Sequence, residues 1–349
     1  MTHEPEQHHA STPAALNGQP EPARPPAHAG LFDRPPYLPP LPAPPRRSLT
    51  RAELQRRARV DGTEVPDRLL VRLRRLWLQL VTSDREREEP ELEARLRERR
   101  RVTRTNLAAV VSPKGGVGKT TCSYLIGDLL AARPKLRVLA IDTNPDFGTL
   151  GKLAPDGYRS EHQLTDVIAQ MDNIRSAPEL DPYMSTTPTG LHLLAAPQRP
   201  EAMEEMTPEM YGRLLSLLGR FYHVILLDLG TGLTEPVARF ALERADQAVV
   251  VNTSDWITSS TVLDALDYVL LRLSGHQLTM VINKAPRRAD LKALESNLRG
   301  HRIPRHVTVP EDERLRQMLD SGTYVCERLE RRTRTAVKHL ALAVADQLV

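Results

Sequence analysis

The chain has 349 residues, 26% of them charged, and a formal net charge of +4. That length holds one large α/β domain with extra material, or two modest domains, and no apolar run is long enough to span a bilayer as a helix. Two cysteines, Cys122 and Cys326, make neither a disulfide framework nor a metal-site spacing. The start lacks the basic and apolar regions of a secretory leader. A cytoplasmic chain, peripheral at most to a membrane or nucleoid, is expected. The positive balance suits an acidic partner such as nucleic acid or anionic lipid only weakly, and a solvated surface is the plainer reading.

Residues 1–46 carry 13 of the 29 prolines, in runs such as Pro35-Pro36-Tyr37-Leu38-Pro39-Pro40. Proline fixes φ and removes donors, and too few apolar residues accompany it to repay ordering. The segment reads as a disordered tail with polyproline II character, either a ligand for an aromatic groove or a passive arm.

Residues 47–104 read as a helical lead-in. Thr50 and Glu53 have capping-box spacing, and Pro66 suits the start of a helix whose Leu69, Leu73, Leu76 and Leu80 share one face. Its arginines leave two readings open: a helix lying on an anionic membrane, or one packing on its own domain or a partner. The mixed-charge stretch 84–104 reads as a solvated helix interrupted at Pro90.

From Thr105 to the C terminus, short aliphatic runs alternate with amphipathic stretches, the pattern of βα units around a mostly parallel sheet. Strands are expected at 107–111, 138–141, 191–195, 224–227, 248–251, 280–282 and 306–309. Open α/β sheets bind ligands at strand C-terminal ends, which directs attention to the residues just after each run.

The first run leads into Ser112-Pro113-Lys114-Gly115-Gly116-Val117-Gly118-Lys119-Thr120-Thr121 and then a helix. Pro113 stands where the plain P-loop pattern has glycine; the rest is intact. Gly115, Gly116 and Gly118 let backbone N–H groups, with that of Val117, surround phosphate oxygens. Lys119 supplies a charge to the β- and γ-phosphates, the Thr120 hydroxyl suits Mg²⁺, and Thr121 opens a helix whose N-terminus favours the same anion.

Lys114 at the head of this loop makes it resemble the deviant Walker A motif of the ParA/MinD family. The resemblance covers about 105–349 and implies a SIMIBI-type P-loop fold: a mostly parallel sheet with helices on both faces. It further implies ATP and Mg²⁺ as cofactors, and an ATP-dependent homodimer in which Lys114 reaches the partner's nucleotide. Lys119 and Asp142 then join Lys114 as catalytic candidates, Asp142 corresponding to an aspartate that organises the attacking water and metal. Many members carry a second aspartate where this chain has Asn144, an amide that orients water without taking its proton, so slow turnover is expected. Asp146 is a possible substitute left open.

The run ending in Asp228 has Walker B form and would deliver that carboxylate to the metal, while Gly232 corresponds to a γ-phosphate-sensing glycine. Asn283 and Pro310 match the family's adenine-flanking positions; a buried turn asparagine and a plain turn proline are the alternatives. A guanine-reading pattern is not completed, because Arg287 stands where its aspartate would be. Within the family, the proline-rich start and the runs around Asp142 and Asp228 are most similar to actinobacterial members, some associated with type VII secretion (EspI-like). The last expected helix, 333–349, carries Val337, Leu340, Val344 and Leu348 on one side, for the core or for a membrane, and basic residues that would suit DNA phosphates.

Three functions remain in view: an ATPase switch that positions or regulates a partner assembly, a hydrolysis-poor nucleotide-gated scaffold acting through its N-terminal arm, and a metabolic ligase or iron–sulfur reductase. The cysteine spacing argues against the reductase.

Overall fold

The computed structural model describes residues 88–98, 102–144, 148–199, 201–202, 205–274, 277–286, 298, 303 and 305–348. The proline-rich tail, the leucine-faced helix expected from Pro66, and the positions Pro145, Asp146 and Arg287 lie outside the described residues.

Among the described residues, eight strands form one sheet: β1 (Asn106–Val111), β2 (Val138–Thr143), β3 (Ser185–Thr186), β4 (His192–Leu194), β5 (Val224–Leu229), β6 (Gln247–Thr253), β7 (Gln277–Ala285) and β8 (His306–Pro310). Their order is β3-β4-β2-β5-β1-β6-β7-β8. Every pairing is parallel except β3 with β4, which is antiparallel at the edge. All seven expected strands are present. β3 was not expected, since two residues give no period to read.

Continuous apolar runs such as VILLDL in β5 are what a sheet covered on both faces requires. Alternate side chains feed two cores. Ala109, Leu139, Ile225 and Leu227 point to one, covered by α3 (Leu164–Gln170), α4 (Pro208–Leu218), α5 (Pro236–Arg244), α6 (Trp256–Asp264) and α7 (Leu266–Arg272). Ala108, Val138, Val224 and Leu226 point to the other, under α2 (Lys119–Ala131), α8 (Glu313–Asp320) and α9 (Arg331–Ala345). Gly127 of α2 allows a close approach: a Cβ there would meet Leu191 at 2.8 Å.

Two expectations about the flanking helices change. Residues 88–97 form a helix, here α1, that runs through Pro90 rather than breaking at it. It is also not simply solvated, because Leu92 and Leu96 are buried against Ala341 and Leu342 of α9. Glu89 accepts from Arg334 Nη2 at 3.0 Å and from Lys338 Nζ at 2.9 Å, so the charges are used in docking. Val337, Leu340 and Val344 on α9, and Leu348 just beyond its end, are all buried. The apolar stripe therefore belongs to the core in this conformation and presents no face to a bilayer. Among the described residues no helix is long and apolar enough to cross a membrane.

Candidate nucleotide-binding site

Between β1 and α2 the chain makes its phosphate-loop turn with two glycines at positive φ, Gly116 at 72° and Gly118 at 96°. Side chains rarely adopt that backbone, which explains the residue type. Gly118 is also the N-cap of α2, left-handed and without a side-chain cap. The first N–H groups of α2, with the helix dipole behind them, thus form a positive pole that suits an anion. A Cβ at Gly118 would stand 2.3 Å from the Asn283 amide nitrogen, so the cradle is closely backed.

Over this turn lies a cavity of about 1140 Å³. Its wall joins Gly115, Gly116, Gly118, Lys119, Thr120 and Thr121 to Asn144, Asp228, Asn283 and Pro310. Residues from the ends of β1, β2, β5 and β7 meet there, as the strand order dictates, because β1 stands between β5 and β6. Four other expected residues stand apart from the wall. Val117 is buried in the core beneath the loop. Lys114 is exposed, and Gly232 is half-buried and outside the wall, although its neighbour Thr231 does line the cavity. Asp142 is buried, its Oδ1 accepting from the Asn144 N–H at 3.1 Å and its Oδ2 from the Leu150 N–H at 2.9 Å. In this conformation it organises its own loop.

Asp142 and Asp228 are register partners on β2 and β5. Burial first, then the Asp142 charge, pushes the Asp228 carboxyl up to about 7, against the opposing pull of the Thr120 hydroxyl, the Lys119 ammonium and Ser123. Its Oδ1 accepts from Ser123 Oγ at 3.2 Å, but its buried Oδ2 meets no hydrogen-bond partner among the described residues. Burial pulls Lys119 below the usual ammonium value, with Asp228 drawing it back up. A buried carboxylate oxygen left unpaired is costly unless a cation completes it. With the Thr120 hydroxyl alongside, these residues fit Mg²⁺, which takes few protein ligands and keeps much of its water.

Asn283 donates its Nδ2 to the Val117 carbonyl at 2.8 Å, and Lys284 donates its Nζ to the Gly116 carbonyl at 2.7 Å. Lys284 and the acidic run Glu311–Glu313 also line the cavity. Lys284 has no role in the sequence expectations, and nothing in residue type or spacing signals that it reaches back to the phosphate loop.

The family described as the CobQ/CobB/MinD/ParA nucleotide binding domain matches residues 108–325, from β1 to just before α9. The chain belongs to this family. As a CobQ/CobB/MinD/ParA domain it is similar to the ESX-1 secretion-associated protein EspI of Mycobacterium tuberculosis, at 30% identity over 190 residues. That match covers 54% of this chain and 28% of EspI, so the chain spans little more than a quarter of that relative. Among solved structures, a ParA family ATPase from Chlorobium tepidum superposes with a TM-score of 0.58 at 22% identity, covering 68% of this chain and 98% of the other. The MinD protein of Pyrococcus horikoshii, complexed with Mg-ADP, gives 0.56 at 22% identity, covering 69% and 96%. Both share the fold of this family member.

Proposed function

We propose that the chain is an ATP-binding and hydrolysing switch that dimerises with ATP and positions or regulates a partner assembly. One observation carries this reading: Asp228, whose buried Oδ2 meets no hydrogen-bond partner among the described residues, lines with Thr120 and Lys119 the cavity that opens over the uncapped N-terminus of α2. Thr120 and Asp228 would hold Mg²⁺, Asp228 through a water. The ion would supply charge neutralisation to phosphate oxygens. Lys119 and the loop amides bind and orient the triphosphate, which is the main lever available for phosphoryl transfer.

Support for the dimer comes from Lys114, exposed outside the wall of its own cavity and free to serve a second copy. Likeness to EspI, itself named as secretion-associated, supports a secretion assembly as the cargo. The reading is tested by labelled ATP turnover with magnesium in the wild type and in Lys119→Ala. Turnover in the wild type that disappears in the variant supports it; equal rates overturn it.

A second reading has its own observation. The cavity presents Asn144 where a carboxylate would serve, and Asp142 has both oxygens engaged by backbone N–H groups. A nucleotide-gated scaffold with little hydrolysis fits that geometry, and saturable ATP binding without turnover would favour it.

A further inference from the structure

Lys284 has a left-handed backbone, φ 52°, rare for a residue with a side chain. The strand is irregular there: the β7–β8 register shifts between Ile282 and Ala285. Successive strand residues ordinarily face opposite sides. At this irregularity Asn283 and Lys284 instead reach the same loop, one donating to the Val117 carbonyl and the other to the Gly116 carbonyl. In a trans peptide the N–H points opposite to the carbonyl of the same unit. Holding those two carbonyls therefore turns the N–H groups of Val117 and Gly118 away from β7. Neither N–H meets an acceptor among the described residues.

We propose that Lys284, with Asn283, is a positioning residue for the phosphate cradle: the β7 irregularity pins two consecutive peptide units so that their N–H groups are set for a polyphosphate before it arrives. This rests on reading 112–121 as a phosphate loop. It differs from a role in reading the base, because the contacts are with loop carbonyls. The strained backbone at Lys284 persists because the irregularity delivers the ammonium to Gly116.

Lys284→Gly removes the ammonium and suits the left-handed backbone, so the melting temperature should not fall. Affinities for Mg-ATP, Mg-GTP and inorganic tripolyphosphate are measured by calorimetry on the full chain. ATP and tripolyphosphate should weaken together by roughly tenfold to 150-fold, the value of one charge-assisted hydrogen bond. The ATP-to-GTP ratio should stay as in the wild type, and Lys284→Arg should retain most of the affinity. In the ligand-free protein, the Val117 and Gly118 amide NMR signals should shift in Lys284→Gly. Unmoved amides would assign Lys284 to direct phosphate contact and overturn the proposal, as would a loss confined to ATP with a collapsed ATP-to-GTP ratio. A wild type that binds neither ATP nor tripolyphosphate would remove the nucleotide reading itself.

Discussion

Lys338 Nζ lies 2.9 Å from the Glu89 carboxylate, and the lysine side chain is only 3% exposed. A buried ammonium needs paired charge around it. Glu93 supplies a second oxygen at 2.5 Å, and Arg334 binds Glu89 from the same helix. The acidic side of α1 is thus the counter-charge for α9, with Leu92 and Leu96 sealing the contact. Residues that read as a solvated lead-in are part of the nucleotide domain's packing.

Arg334 beside Glu89 holds its carboxyl down from 4.5 to about 2, with Lys338 adding to the pull against the cost of burial. A depressed carboxyl contributes stability that is present above its unfolded value and lost as pH falls. Glu89→Ala should cost roughly 1–3 kcal/mol at pH 7. The difference from the wild type should shrink between pH 4.5 and about 2. Urea melts at several pH values measure it, and a pH-independent difference would refute the ion-pair account.

Asp128 on α2 has the opposite sign. Burial pushes its carboxyl up from 3.8 to about 6, although Thr189 Oγ1 donates to it at 2.5 Å. The folded state therefore binds a proton more readily than the unfolded one, and this group adds stability as pH falls from about 6 toward 3.8. Asp128→Asn should stabilise the protein by roughly 1–3 kcal/mol at pH 8 and by little near pH 4. Equal melting of both proteins at pH 8 would contradict that reading.

Asn144 lines the cavity beside the phosphate loop. A carboxylate there could accept a proton from an attacking water where the amide cannot. Asn144→Asp should raise ATP turnover roughly tenfold or more, with affinity changed much less. An unchanged or lower rate, measured by phosphate release, would mean that proton acceptance at this position does not limit hydrolysis.

Lys114, solvent-exposed and outside its own cavity wall, has a role to play only if another molecule covers the rim. Lys114→Ala should keep ATP binding within about threefold, since a solvated charge contributes little. It should also abolish an ATP-dependent rise in mass by light scattering. A variant that still dimerises with ATP would show that Lys114 is an ordinary surface lysine.

Much of the site was legible because local rules govern it. Gly116 and Gly118 had to be glycines for the turn to adopt positive φ, and Asp228 breaks the aliphatic run of β5 one residue before the strand ends. Seven strands announced themselves through short, mostly aliphatic runs, a signal β3 is too short to give. Asn283 was legible as a strand-end residue, but its hydrogen bond to Val117 was not.

Residue order alone determined the phosphate loop, the alternation of strands and helices, and the family, since each follows from neighbours in the chain. Tertiary structure decided what depends on distant partners. It made Glu89 the companion of Lys338, buried the stripe of α9, and turned Lys284 onto Gly116. A side chain's charge is written in its type. The dielectric around it and the group it meets are set only when remote segments close over it.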